Sequence, residues 1–301
     1  MSERPDVVAE LARLKDFQRR TVDYVHSRLW DPVDPAKRFL VADEVGLGKT
    51  LIARGVIAKT IDHLWDTVDR IDVVYICSNQ QIARQNLGRL TIGGVPIDHA
   101  DRLTMLPRVM KHLRENKVNF VSFTPGTSFT ISESGGRSGE RVLLQHLLAR
   151  SVGSHIRRQA GWLKFFRGAS GLANYERELR DARGNHLDGV IAAQFAAALD
   201  TAQFEGRPLL EVLDETVREF RHRETVHWSI SNRRYRLIGR MRQLVAEAAV
   251  EALEPDLVIL DEFQRFKDLL SPDSPGADLA RRVFDHRDAR VLLLSATPYR
   301  M

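Results

Sequence analysis

With 301 residues, 43% of them hydrophobic and 28% charged, the chain is long enough to bury a substantial core and too apolar for intrinsic disorder. Its single cysteine excludes an internal disulfide, and no stretch approaches the roughly 18 consecutive apolar residues of a membrane span. The opening MSERPDVVAELARLKDFQRR is charged throughout and lacks the apolar core of a secretory signal, so a cytoplasmic protein is expected; the net charge of +5 permits a polyanionic partner without requiring one.

Five short apolar runs rich in β-branched residues read as buried parallel strands: Phe39 to Ala42, Val73 to Cys77, Phe120 to Phe123, Leu257 to Leu260 and Val291 to Leu294. Cys77 lies inside the second run and reads as a small buried hydrophobe. Helical patterns lie between the runs. Leu51, Ile52, Val56, Ile61, Leu64 and Trp65 recur at three- and four-residue spacing, and a further helix is expected from Gln80 to Leu90. Alternating strands and helices predict an α/β fold with a mainly parallel sheet, binding ligands beyond the carboxyl ends of its strands. After Phe123 the stretch TPGTSFTISESGGRSGE is loop-like, and the segments after it carry helical periodicity. The predicted organisation is an α/β domain over residues 1–130 and 251–301, interrupted by a mostly helical insertion over 131–250.

Three strand ends carry candidate chemistry. The segment DEVGLGKT, Asp43 to Thr50, sits between a predicted strand and a predicted helix. A Gly-rich turn there presents backbone N–H groups and a helix N-terminus to phosphate oxygens. Gly46 and Gly48 allow close approach, Lys49 can neutralise phosphate charge, and Thr50 can ligate Mg²⁺. An ordinary strand-to-helix turn is the bland alternative. The run DLVILDEFQRF ends in Asp261 and Glu262, which suit a metal carboxylate and a base for an attacking water, although acidic residues also begin many solvent-facing loops. The third run, VLLLSATPYR, ends in Ser295, Ala296 and Thr297 before Pro298, which forces the chain out of the sheet.

Together these segments resemble motifs I, II and III of superfamily 2 helicases and translocases, and ADEVGLGKT is most similar to the Swi/Snf-like branch of the DEAD/DEAH-box proteins, many of which place an acidic residue where other phosphate loops have their first glycine. The resemblance implies a P-loop NTPase lobe of RecA-like fold using ATP and Mg²⁺. It assigns nucleotide contacts to Asp43, Glu44, Gly46, Leu47, Gly48, Lys49 and Thr50, with Gln18 in KDFQRRTVDYV as the adenine reader and Phe17 beside it. It assigns the metal to Thr50 and Asp261, catalysis to Lys49, Asp261 and Glu262 with Gln264 linking the site to motif III, and coupling to Ser295, Ala296 and Thr297. VVYICSNQQIARQNLGRL resembles motif Ia, which makes Ser78, Asn79 and Gln81 candidate nucleic-acid contacts; Arg102 to Leu106 and Val121 to Phe129 stand as motifs Ib and Ic. Motif II here reads Asp-Glu-Phe-Gln, which departs from the usual Asp-Glu-Ala-Asp and blurs the subfamily.

The family also has a second RecA-like lobe with motifs IV to VI and an arginine finger, a residue supplying about 10³ to 10⁵ in rate in related phosphoryl transfers. That lobe is expected beyond residue 301 or in trans, and this chain is expected to bind ATP better than it hydrolyses it. Duplex DNA is the expected partner. A truncated module that binds ATP or nucleic acid without turnover is the alternative, and an unrelated P-loop ATPase acting on protein assemblies fits the SATP and DEFQ segments less well.

One further stretch, Arg221 to Arg242, holds seven arginines and one acid, with Trp228 and Tyr235 among them. Arg233, Arg234 and Arg236 are candidate phosphate contacts. The other reading is a solvated face whose arginines pair with acids of the insertion such as Glu211, Asp214, Glu215 and Glu219. The histidines lack metal-ligand spacing, so no zinc site is expected.

Overall fold

Strands form where the apolar runs lie, because a strand covered on both faces needs apolar side chains at every position rather than at alternate ones. The structure, a computed structural model, describes residues 4–43, 46–92, 97–98, 102–129, 131, 135–183, 187–221, 227–266 and 276–296. Its strands are β1 (Arg38–Ala42), β2 (Ile71–Ile76), β3 (Ile97–Asp98), β4 (Val118–Phe123), β5 (Leu257–Asp261) and β6 (Arg290–Ser295). All pair in parallel in the order β1-β6-β5-β2-β4-β3. Every residue of β2 and β4 is buried, as expected of central strands. Among the described strands of this sheet, β3, two residues long, has no counterpart among the predicted runs.

The chain divides into two compact units, residues 1–102, 112–130 and 253–301, and residues 103–111 and 131–252. This differs from the expected division at two places, of which the smaller is that residues 251–252 fall in the second unit. Leu103–Lys111, which includes most of the segment assigned to motif Ib, belongs with the second unit, where Leu103, Leu106 and Met110 are fully buried.

In the first unit, helices α1 (Val7–Ala12), α2 (Asp16–Leu29), α3 (Lys49–Leu64) and α4 (Gln80–Leu90) precede β4 in the chain. Helix α2 buries Gln18, Val22, Val25 and Leu29, a single stripe at helical spacing. Helix α3 is buried more widely, including Ile52, Val56, Ile57 and Ile61, each contributing about 1.5–3 kcal/mol of burial. These side chains share one core with Val73 and Tyr75 of β2, Ile259 of β5 and Leu292 of β6. Helix α3 is therefore held firmly against the sheet, and its N-terminus is fixed at the sheet's carboxyl edge.

The central strands also carry buried polar groups. Asp72 is fully buried, its Oδ1 accepting from Asn119 Nδ2 at 2.8 Å and its Oδ2 lying 2.8 Å from Arg70. The Asp72 N–H donates to Asp256 Oδ2 at 2.8 Å. Burial pushes the Asp72 carboxyl up to about 7 against the opposing pull of Arg70, and pushes Asp256 up to about 6.

The second unit is mostly helical, with Ser138–Ser151, Leu172–Arg183, Gly189–Thr201, Leu209–Glu219 and the long Trp228–Leu253 as its main helices. Gln203–Phe204 and Arg207–Pro208 form a small antiparallel hairpin. Its core includes Phe165, whose ring meets Phe166 at 4.9 Å and Phe220 at 5.9 Å between centroids. Polar staples hold it as well. Arg141 donates to the carbonyls of Gly135, Gly136, Phe166 and Arg167 and to the Ser170 hydroxyl, while the buried pair Arg242–Glu140 also takes a bond from the Thr104 hydroxyl at 2.6 Å.

Candidate functional site

Parallel pairing brings the carboxyl ends of the strands to one edge. Ala42 of β1 lies opposite Ser295 of β6, and Leu294 lies opposite Asp261 of β5. The three segments singled out in the sequence thus lie on neighbouring strands, although they are far apart in the chain. At this edge a cavity of about 780 Å³ is lined by Gly46, Gly48, Lys49 and Thr50 on one side and by Asp261, Glu262 and Ala296 on another. Arg54 of α3 and Asn86 and Arg89 of α4 complete its wall.

The loop entering α3 takes its shape from glycine. Gly46 has φ +93° and Gly48 has φ +85°, a left-handed conformation that side chains rarely tolerate. With Gly48 as N-cap, the first backbone N–H groups of the 16-residue helix have no partners within the helix, which gives this end of α3 a partial positive charge. The Lys49 ammonium donates to the Asp43 carbonyl at 2.8 Å, inside the loop's own curve. Glu44 lies outside the described residues, as does Thr297.

Gln18, the base reader the resemblance implies, is bonded within the chain. It is only 4% exposed. Its Oε1 accepts from the Lys15 N–H and its Nε2 donates to the Leu47 carbonyl, both at 3.0 Å. Both ends of the amide are engaged within the chain, and the residue does not line the cavity. In this arrangement Gln18 ties α2 to the phosphate loop, and Phe17 beside it is 44% exposed.

The carboxylates at the end of β5 are held from several directions. Asp261 Oδ2 accepts from the Tyr75 hydroxyl at 2.6 Å and from Asn86 Nδ2 at 3.2 Å, and its Oδ1 accepts from the Glu262 N–H at 3.0 Å. Asn86 Nδ2 also donates to the Tyr75 oxygen at 3.1 Å. Burial, and after it the charge of Asp261, pushes the Tyr75 phenol far up, so Tyr75 is a permanent donor. Glu262 has φ +58°, rare for a residue with a side chain. Its Oε2 accepts from the Ser78 hydroxyl at 2.5 Å and lies 3.3 Å from Arg265 Nε. The Ser295 hydroxyl donates to Gln264 Oε1 at 3.1 Å, and the Asp43 N–H donates to the Ser295 carbonyl at 3.3 Å, linking the three strand tips directly.

The donor set fits a hard cation. Among the described residues no cluster of three or more His, Cys, Asp or Glu side chains is placed to cage a metal. Mg²⁺ is commonly held by one or two protein oxygens together with substrate phosphates, which is what Thr50 and Asp261 beside a phosphate-shaped loop offer. Cys77 is fully buried with its thiol pushed up by that burial, so it has no nucleophilic character here.

The proposed nucleic-acid contacts are mostly occupied. Ser78 is bonded to Glu262, and Asn79 caps α4, its Oδ1 accepting from the Gln81 N–H at 2.8 Å; the Gln81 side chain is exposed. The arginine-rich stretch is not a free basic face. Arg233 pairs with Glu219 at 3.6 Å, Arg236 with Glu205 and Arg240 with Glu247 at 3.8 Å, while Arg242 is buried with Glu140. Arg234 is 7% exposed and lies over the rings of Phe220 and Tyr235, too deep to track a phosphate backbone. Of the acids expected to pair with this stretch, Glu219 is the one that does so among the described residues; Glu211 and Glu215 meet Arg207, and Asp214 meets Arg218.

Reading the sequence missed Tyr75, Asn86, Arg54 and Arg89. A signal existed for Tyr75, since a hydroxyl inside the apolar run VVYIC must find a partner once buried. Among the described residues no helix is long and apolar enough to cross a membrane. No family model matches the chain, and no curated protein or solved structure matches it.

Proposed function

We propose that the first unit is a RecA-like nucleotide-binding lobe that binds Mg²⁺-ATP, and that it belongs to an ATP-dependent DNA helicase or double-strand DNA translocase. One observation carries this reading: a glycine loop, a pair of carboxylates and Ala296, at the ends of three neighbouring parallel strands, meet around one cavity. The β- and γ-phosphates lie against the Gly46 to Thr50 backbone, and Lys49 leaves the Asp43 carbonyl to meet them. Thr50 and Asp261 hold Mg²⁺, which neutralises phosphate charge when bound. Glu262 orients and deprotonates the attacking water once it exchanges its bond to Ser78 for one to that water. Gln264 and Ser295 pass the state of the site to neighbouring strands. Duplex DNA and a second lobe supplying an arginine are the partners this reading implies, with a cytoplasmic location.

Binding of a fluorescent ATP analogue to the full chain tests the assignment. Lys49→Ala removes a charge-assisted contact, so affinity is expected to fall about tenfold to a hundredfold; equal affinity in variant and wild type refutes the phosphate-loop reading. A second reading, a nucleotide-binding module without turnover, is favoured by the engagement of Glu262 with Ser78 and Arg265. Phosphate release measured with and without duplex DNA separates the two.

A further inference from the structure

The Asp261 carboxylate lies at the cavity wall, yet half of its hydrogen-bonding capacity is already filled from β2 and α4. A carboxylate offers about four acceptor positions, two on each oxygen. Both positions of Oδ2 are taken, one by the Tyr75 hydroxyl at 2.6 Å and one by Asn86 Nδ2 at 3.2 Å. One position of Oδ1 is taken by the Glu262 N–H at 3.0 Å. A single position on Oδ1 is left.

The three groups around Oδ2 form a closed triangle, because the second N–H of Asn86 reaches the Tyr75 oxygen at 3.1 Å. Tyr75 is fully buried within β2 and cannot turn away, and Asn86 stands on α4 with its amide at the cavity wall. The carboxylate plane is therefore fixed by donors from two elements besides its own strand.

We propose that Tyr75 and Asn86 are positioning residues that saturate one oxygen of Asp261 and leave the other to face a Mg²⁺ ion, or a water bound to it, in a nucleotide complex. This rests on the nucleotide reading above and adds to it a divided role for the two oxygens, enforced from β2 and α4. Removing the Tyr75 hydroxyl frees the carboxylate to rotate and makes its oxygens equivalent. Metal affinity then falls while the phosphate loop is untouched.

The test is a Mg²⁺ titration of the full chain, read as the change in affinity for a fluorescent ATP analogue between EDTA and increasing free Mg²⁺. In Tyr75→Phe, which keeps the ring in the core, the Mg²⁺ midpoint is expected to rise about tenfold or more, the usual cost of losing a partner of a metal ligand. Affinity in EDTA stays within about twofold of wild type, because no contact to the loop is lost. Asn86→Ala is expected to shift the midpoint in the same direction, and it decides the matter if Tyr75→Phe does not fold. A purely structural role lowers thermal stability and leaves the midpoint unchanged, and that result overturns the proposal. Lys49→Ala separates the two levels: if it weakens binding while Tyr75→Phe and Asn86→Ala leave the midpoint unmoved, the nucleotide site stands and the positioning role falls. If the wild-type chain binds no nucleotide, both fail.

Discussion

Replacing Gly48 by alanine tests how the phosphate loop is built more sharply than removing a charge does. Gly48 and Gly46 share the left-handed conformation, at φ +85° and +93°. Forcing a side chain into it costs about 1–2 kcal/mol at either position. Their surroundings differ. A Cβ on Gly46 meets nothing within 4 Å, whereas one on Gly48 stands 2.5 Å from Gln18 Nε2, which must move. Moving it breaks the bond to the Leu47 carbonyl and leaves a buried amide unpaired, a further cost of about 1–3 kcal/mol. Gly46→Ala is thus expected to weaken binding of a fluorescent ATP analogue by about 5- to 30-fold, and Gly48→Ala by about 5- to 150-fold beyond that. Part of either cost can appear as lost thermal stability if the loop keeps its shape without nucleotide, so the two measurements are summed. Adding Gln18→Ala to Gly48→Ala removes the collision and is expected to restore part of the loss. If Gly46→Ala and Gly48→Ala prove equivalent in summed affinity and stability, the contact between α2 and the loop contributes nothing and the reasoning fails.

Other expectations follow from burial and charge. Asp72 and Asp256 carry folded pKa values of about 7 and about 6, above those of the unfolded chain, so the folded state holds protons that the unfolded state releases. Their contribution to stability is fully present below about pH 4 and is lost as pH rises to about 7, at up to about 1.4 kcal/mol per pH unit for each group. His26, lowered to about 4 chiefly by burial, opposes this below about pH 6.5. Melting curves of Asp72→Asn against wild type are expected to show the variant gaining relative stability from pH 5 to pH 8; a constant difference refutes the assignment. Arg242→Ala leaves the Glu140 carboxylate buried without its guanidinium and is expected to cost about 3–5 kcal/mol in urea unfolding. Arg236→Ala, at a half-exposed pair, is expected to cost less than about 1 kcal/mol. Phosphate release by Ser78→Ala, with the Glu262 carboxylate freed from its short bond, is expected to rise without DNA if that bond restrains the base, and to stay unchanged if it does not.

How much was legible in the sequence depends on how local the cause is. The five long strands could be read because an apolar β-branched run bounded by polar residues has few alternatives, and the loop could be read because Gly46, Gly48, Lys49 and Thr50 are adjacent in the chain. The place of Leu103–Lys111 could not, since Leu103, Leu106 and Met110 make an apolar stripe that fits any partner surface. Nor could the arginine pairs. Glu211 and Glu215 are taken by Arg207, and Arg236 finds Glu205 across 31 residues. The contact of Gln18 with the loop was not legible either: its amide reaches the Leu47 carbonyl, 29 residues away in the chain.

Lys49, Glu262 and Asp261 all have partners within the protein, and this sets the terms of nucleotide affinity. Lys49 is bonded to the Asp43 carbonyl, Glu262 to Ser78 and Arg265, and Asp261 to Tyr75, Asn86 and its own neighbour. A phosphate that recruits Lys49 must replace one existing hydrogen bond, a loss of about 0.5–1.5 kcal/mol set against a stronger charge-assisted contact. In the proposed mechanism, water activation by Glu262 requires a similar exchange at the Ser78 hydroxyl, which sits on the segment between β2 and α4. Asp261 needs no exchange, because one acceptor position on Oδ1 is left. Metal binding and phosphate binding can therefore occur with little rearrangement, whereas activation of the base depends on moving Ser78. Under the proposed reading, anything that binds the β2–α4 segment and draws the Ser78 hydroxyl away would free Glu262 without touching the nucleotide.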